Sequence, residues 1–363
     1  MTPAIVASAA HLFPAGPAYL YAQSAPLGLP GASFQGAGHF FTENPPFGAT
    51  LTYYLRDELK SRKAQRREAD ADAAKRGADA TMPSWSELKA EDREENPAVL
   101  IEVSDSGGRP VRRFTGPAAS GLHRVTWDLK YQPAVPVTGP PFQPDPDFPF
   151  FSAPAGPFVL PGQYSARLYT RVDGVLSPIG TPVTFAVVDA DPPGSRRVPR
   201  NATVLATELR NAELERVALG AAAWLNDLAA RLGFLRRAID ESARADSALV
   251  RQVRTLQTKV LDVQERLNGD PTRARRNESS PTGLLGRLQN ALGQSRGGSL
   301  EAPTAAQIAQ LDIVRAALTG IFAEIRQLAD VDVKAVESAA EAAGIPWTSG
   351  RLPQLPPPQG GPG

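Results

Sequence analysis

Two hydrophobic rhythms divide the chain. Between residues 49 and 190 apolar positions recur every second residue, in short runs bounded by turn formers. ATLTYYL puts Leu51, Tyr53 and Leu55 on one face, and PAVLIEVSD does the same with Val99, Ile101 and Val103. RPVRRF follows the turn formers Asp105, Ser106, Gly107 and Gly108. In GLHRVTWDLKYQ, residues 121–132, His123, Val125, Trp127 and Leu129 share one side, and Arg124, Thr126 and Asp128 the other. GQYSARLYTRV aligns Tyr164, Ala166 and Leu168, and TPVTFAVVD aligns Val183, Phe185 and Val187. Short alternating strands separated by turns predict an antiparallel β-sandwich over 49–190.

After residue 200 the period becomes helical. Leu205, Leu209, Ala212, Trp224, Leu228, Leu232, Leu235 and Ile239 predict one long helix with a break near Gly233. Leu249, Val253, Leu256, Val260, Val263 and Leu267 recur in steps of four and three, a heptad-like seam. Asn268-Gly269-Asp270-Pro271 is a stop signal. A shorter helix carries Leu284, Leu285, Leu288 and Leu292. Another starts near Pro303 and carries Leu311, Val314, Leu318, Ile321, Ile325 and Leu328, and residues 332–343 form a last short one. Single apolar stripes cannot bury themselves alone, so 201–345 reads as an antiparallel helical bundle. The fold class is therefore α+β multidomain, a β-sandwich followed by an antiparallel α-helical bundle.

The remaining segments are set by proline, glycine and charge. The chain has 363 residues and 35 prolines. Residues 1–48 are rich in Pro, Gly and aromatics and read as an extended arm. Its aromatics are costly to leave in water. Residues 38–48 are expected to pack internally, and 1–25 to stay partly unsatisfied, favouring self-association or a protein partner. Residues 56–96 are charged and alanine-rich without an apolar stripe, and read as a solvated helix or a disordered insertion within a hairpin. Residues 132–161 form a proline-rich loop, 191–200 a linker, and 346–363 a disordered Pro/Gly tail containing PxxP.

Charge and motif content narrow the chemistry. The net charge of +1 gives no global argument for nucleic acid or an anionic membrane. The charged insertion interleaves acids with its Lys and Arg and lacks aromatics there, so no nucleic-acid partner is expected. The chain has no cysteine, which removes thiol chemistry and disulfides. No run of about 18 apolar residues is present to span a bilayer. MTPAIVASAAHLFPAG has no basic residue before its apolar patch and does not read as a signal peptide; the abrupt start reads as one inside a longer polypeptide. His11, His39 and His123 are far apart in sequence and lack carboxylates at metal-ligand spacing. Asp145 and Asp147 lack the glycine and bidentate glutamate of a calcium loop. SDSGGRPV, residues 104–111, resembles an Asp-box without its closing aromatic, and a turn explains it. Sequons stand at Asn201 and Asn277. No nucleophile elbow, HExxH helix, P-loop or dinucleotide fingerprint appears. No catalytic, cofactor-binding or metal-ligating residue is assigned, and no cofactor is expected. Trp127 reads as a core ring packing across to the opposite sheet, and Asp128 as an outward acid accepting backbone N–H bonds from the next loop.

GLHRVTWDLKY, then LPGQYSARLYTRVDG and TPVTFAVVDADP, resemble a Trp-Asp-Leu strand and a Pro-Gly-x-Tyr strand of one family. This is the immunoglobulin-like module near the C-terminus of bacterial sortilin-like, Asp-box β-propeller proteins, often labelled glycosyl hydrolase or exo-sialidase-like. HLFPAGPAYLY resembles the segment leaving the propeller, ENPPFGATLTYYL the module's first strand, and SPTGLLGRLQNAL part of the terminal bundle. The Trp-Asp and Pro-Gly-x-Tyr pattern is also similar to the module of flagellar hook-capping proteins. Propeller repeats are not present in the sequence. The resemblance implies an immunoglobulin-like sandwich and a non-catalytic accessory, binding or scaffolding module. It implies a propeller-bearing partner reached through the N-terminal aromatic arm, and a periplasmic or extracellular setting. The alternative is part of a glycoside hydrolase or peptidase whose catalytic groups lie in a propeller outside this chain.

Overall fold

The computed structural model describes residues 1–23, 38, 40, 45–79, 82–139, 143, 154–190, 200–293 and 300–355. The chain divides into two compact units, one of Met1–Pro133, Pro144–Leu205 and Gly297–Glu301, the other of Ala134–Gln143, Ala206–Arg296 and Ala302–Gly363.

In the first unit the chain runs α1 (Pro3–Ala7), β1 (Ala10–Leu12), β2 (Ala18–Leu20), β3 (Ala49–Leu55), α2 (Arg62–Lys75) and α3 (Trp85–Arg93). It continues through β4 (Ala98–Asp105), β5 (Pro110–Gly116), β6 (Gly121–Trp127), β7 (Gly162–Val172) and β8 (Val175–Asp189). One sheet has the order β1-β3-β6, the other β2-β8-β7-β4-β5. Every ladder is antiparallel except that of β2 on β8. The predicted alternation is what buries each strand: Leu51, Tyr53, Leu55, Val99, Ile101, Val103, Ala166 and Leu168 lose essentially all exposure. Residues of both sheets, with Leu300, share a single hydrophobic core. Asp173 and Gly174 close the β7–β8 hairpin with φ of 52° and 76°. Both central residues of a two-residue turn then have positive φ, the twist-matched arrangement for antiparallel neighbours.

Two expectations for this unit are corrected. Residues 1–48 do not form an extended arm throughout. Residues 10–12 add a strand to one sheet and 18–20 a strand to the other, and Leu12, Ala18 and Leu20 are buried in the core. The 1–25 stretch thus supplies core while Tyr19 stays 53% exposed, and in the 38–48 stretch expected to pack, Phe47 lies against the core whereas Phe40 is 92% exposed. The 56–96 insertion does not sit inside a hairpin. It joins β3 to β4, which lie in different sheets, and folds as two helices with no buried residue. Arg66 holds them together with a two-pronged bond to Glu91 at 2.6 and 2.9 Å, and Arg62 ties them to the β7–β8 turn through Asp173 at 2.5 Å.

The second unit contains α4 (Ala202–Asp240) from Ala206 onward, then α5 (Ser247–Asn268), α6 (Pro271–Ala274), α7 (Leu284–Leu292) and α8 (Ala305–Gln327). A π-helical segment, Leu328–Asp332, leads into α9 (Val333–Ala342). Helix α4 is unbroken at Gly233. The heptad-like positions of α5 are all buried, and the helix stops at Gly269, whose φ is 97°. Stripes from α4, α5, α7, α8 and α9 meet in one core. The register of early α4 differs from the prediction. Glu208, Asn211 and Glu215 are buried there, not Leu205, Leu209 and Ala212.

The C-terminal tail is also corrected in part. Ile345, Thr348 and Arg351 are buried, Arg351 binds Glu341 at 2.5 Å, and the Trp347 indole donates to the Arg351 carbonyl at 2.7 Å. Residues 356–363, most of the 191–200 linker and most of 140–153 lie outside the described residues. Among the described residues no helix is long and apolar enough to cross a membrane.

Candidate functional site

The Trp127-Asp128 pair sits where β6 ends. Trp127 is 1% exposed, with its ring 5.5 Å from Tyr164 and 6.2 Å from Phe185 of the other sheet. Its indole N–H donates to the Lys130 carbonyl at 3.0 Å, and Asp128 Oδ1 accepts from the Lys130 N–H at 3.3 Å. The corner turns through Leu129, a fully buried residue with φ of 58°. A left-handed leucine is strained, and core burial together with the two flanking bonds holds it. Lys130 then pairs with Phe158 in an isolated bridge and lays its ammonium 4.7 Å from that ring. Burial pushes the Lys130 pKa down, with Asp128 opposing. The two residues with the most suggestive sequence context therefore build a strand corner.

The other candidates are likewise occupied. Among the described residues no group of three or more His, Asp or Glu is placed to hold a metal. His11 stacks edge-on against Phe13 at 4.8 Å. His123 bonds the Ala119 carbonyl at 2.7 Å and lies against Tyr53. His39, Asp145 and Asp147 fall outside the described residues. Asn201 caps α4, its Oδ1 accepting from Val204 N–H at 3.0 Å. Asn277 has φ of 54°. The phenols of Tyr53 and Tyr164 are buried and donate to the carbonyls of Pro117 at 2.6 Å and Leu160 at 2.7 Å. Burial pushes Tyr53 up to about 12, and raises Tyr164 as well.

Asp105 is the turn residue of the β4–β5 hairpin. Its Oδ1 accepts from the N–H groups of Gly107 at 2.9 Å and Arg109 at 3.0 Å, and its Oδ2 from the Arg109 side chain at 2.9 Å. Burial pushes its carboxyl up, but the Arg109 backbone and side-chain bonds and the Gly107 N–H together outweigh it and hold the pKa below the usual range. A carboxylate with a depressed folded pKa contributes stability above its unfolded pKa and loses it as pH falls through the folded value. Asp105→Asn should therefore lower stability at neutral pH and flatten the acid limb of the stability curve. Chemical denaturation between pH 7 and about 2 checks this, and parallel curves for both proteins would contradict it.

Of the several clefts that the described residues form, two lie beside α2 and α4. One, about 490 Å³, runs between α2 and α3, lined by Arg62, Arg66, Ala69, Ala73 and Glu91. Exposed Met82 lines it, and Trp85, 80% exposed, starts α3. The Arg66 side chain pulls the Glu91 carboxyl below its ordinary pKa. The other, about 600 Å³, lies between early α4 and α8 and includes Asn211, which the expected apolar stripe passed over. A signal for it was present in the sequence. Glu208, Asn211 and Glu215 fall on the line that continues into Ala218, Ala222 and Leu225, the buried face of the same helix. Comparison of the chain with protein-family models, curated proteins and solved structures gives no match.

Proposed function

We propose that this chain is a non-catalytic accessory module that binds or scaffolds another protein, as the resemblance to the C-terminal region of exported sortilin-like β-propeller proteins implies. The observation that carries the binding role is the α2–α3 insertion. It stands on the sheet unit with no buried residue of its own, yet presents Trp85 and Met82 at 80% and 90% exposure beside a cleft. An exposed tryptophan flanked by a groove is the kind of side chain that dominates protein interfaces.

The finer fold reading is an immunoglobulin-like β-sandwich followed by an antiparallel helical bundle. Its support is the shared core of the two sheets, the passage of the chain from β5 in one sheet to β6 in the other, and its return at β7. Tyr164 adds to it: near the start of β7, its hydroxyl bonds back to Leu160, as in the tyrosine corner of such sandwiches. The partner of this reading is a β-propeller in a periplasmic or extracellular setting, contacted through the α2–α3 insertion together with exposed Tyr19 and Phe40 of the N-terminal stretch.

Calorimetric titration of a sortilin-like β-propeller domain with the full chain tests the proposal. Binding is expected, weakened roughly tenfold or more by Trp85→Ala, as for an interface anchor. Absence of binding, or steady hydrolysis of glycosidase or peptidase substrates that a single acid substitution abolishes, overturns it in favour of the hydrolase alternative.

A further inference from the structure

The α4–α8 cleft carries a second, independent inference, because its polar groups are unevenly matched. Asn211 is 4% exposed, lines the cleft, and among the described residues its Nδ2 has no hydrogen-bond partner. A buried amide donor left without an acceptor is costly, and such groups are rare unless something supplies the bond. Arg210, the residue before it, also lines the cleft, and among the described residues it bonds the Thr207 hydroxyl at 3.0 Å. The acids of the same cleft are already neutralised: Glu213 by Arg216 at 2.5 and 2.8 Å, and Asp312 by Arg315 at 2.6 Å. Leu214, Val217, Ile308 and Leu311 supply apolar surface.

We infer that this cleft binds a small amphiphilic monocarboxylate, with the acid group on Arg210 and Asn211 and the hydrocarbon body against Leu214, Val217, Ile308 and Leu311. The chemistry follows from the inventory. The groups on offer are an exposed guanidinium with donors to spare and an unsatisfied buried amide N–H, and a carboxylate accepts from both in charge-assisted bonds. Of the acids lining the cleft, Glu213 and Asp312 are each paired with an arginine of their own helix, and the buried Glu208 and Glu215 flank Asn211 on its face of α4. A volume of about 600 Å³ is within the range of ligand pockets. The inference does not depend on the protein-binding proposal, since its site lies in the helical unit and its readout is a small acid.

Isothermal titration of the full chain with sodium octanoate tests it, with 1-octanol and acetate as comparators. Octanoate should bind saturably at one site, at least tenfold more tightly than octanol or acetate, since octanol lacks the charge and acetate the body. Arg210→Gln should weaken octanoate roughly tenfold, the worth of a hydrogen bond to a charged group, without moving the melting temperature. Asn211→Leu should also weaken it while leaving the melting temperature unchanged or raised, because it removes an unsatisfied buried donor. Arg236→Gln, elsewhere on α4 and paired with Asp240 at 3.4 Å, should bind as the parent does. Octanoate binding no tighter than octanol, or unsaturable uptake, overturns the proposal. So does octanoate affinity equal in the parent and Arg210→Gln, or lost equally in Arg210→Gln and Arg236→Gln.

Discussion

Trp127→Ala should destabilise the sheet unit by about 3–5 kcal/mol, the range for truncating a large buried aromatic. Two losses combine. The ring is 1% exposed and touches Tyr164 and Phe185 of the opposite sheet, so its removal opens a cavity between two layers. The layers cannot close on it, because β6 is paired rung by rung with β3 from Gly121↔Leu55 to Trp127↔Ala49. The indole N–H also leaves the Lys130 carbonyl unbonded, at the turn where Leu129 is held at positive φ. Asp128→Asn should cost far less, since the amide oxygen still accepts from Lys130 N–H. Thermal denaturation followed by near-ultraviolet circular dichroism checks both, and a drop of roughly 10 °C is expected for Trp127→Ala. An unchanged melting point, with loss of some ligand instead, would return Trp127 to the status of a binding platform.

Gly48→Ala should cost roughly 3 kcal/mol or more, from two additive sources. Gly48 precedes β3 at φ of 123°, where an L side chain is strained. A Cβ there would stand 1.9 Å from the Trp127 carbonyl oxygen and 2.9 Å from its carbon. Those are backbone atoms at the end of a ladder, so no rotamer change relieves the clash and the first β3–β6 rung must shift. Gly16→Ala is the control, since a Cβ there meets nothing within 4 Å. Urea denaturation should show a lowered midpoint for Gly48→Ala alone. Coincident curves would mean that β3 and β6 do not approach as described.

Most of the elements were legible in the sequence, for a local reason. A strand buried on one face has period two, so Leu51, Tyr53, Ile101, Tyr164 and Phe185 could be placed inward from spacing alone. A helix buried on one face repeats near 3.6, so the α5 seam from Leu249 to Leu267 was readable, as was its end at Asn268-Gly269. The structural role of Trp127 and Asp128 was readable for the same reason, because a strand end places one side chain inward and the next outward.

What spacing could not supply was anything decided by a partner distant in the chain. β1 and β2 are three residues each, too short for periodicity to register, and exist because β3 and β8 offer them free edges. Prolines on either side suggested an arm, yet an edge strand tolerates proline near it. The charged insertion has no apolar stripe, and its helices are joined by Arg66 and Glu91, 25 residues apart. The tail reads as a solvated Pro/Gly run, but Arg351 is drawn inward by Glu341, and its carbonyl accepts from the indole of Trp347, which itself stays exposed. Early α4 is a different case, because its inward face could be extended from the downstream positions of the same helix. Local hydrophobicity favoured Leu205, Leu209 and Ala212, whereas the face that packs downstream carries Glu208, Asn211 and Glu215 inward. A helix is a rigid rotor: once Leu225, Leu228 and Leu232 choose the core, every earlier turn is aimed by them, whatever polar residues it holds. The sequence by itself determined the strands, the helices and their apolar faces. The tertiary structure decided which short segments became edges and which polar groups were carried inside, because those outcomes depend on long-range pairing and on rigid helical phase.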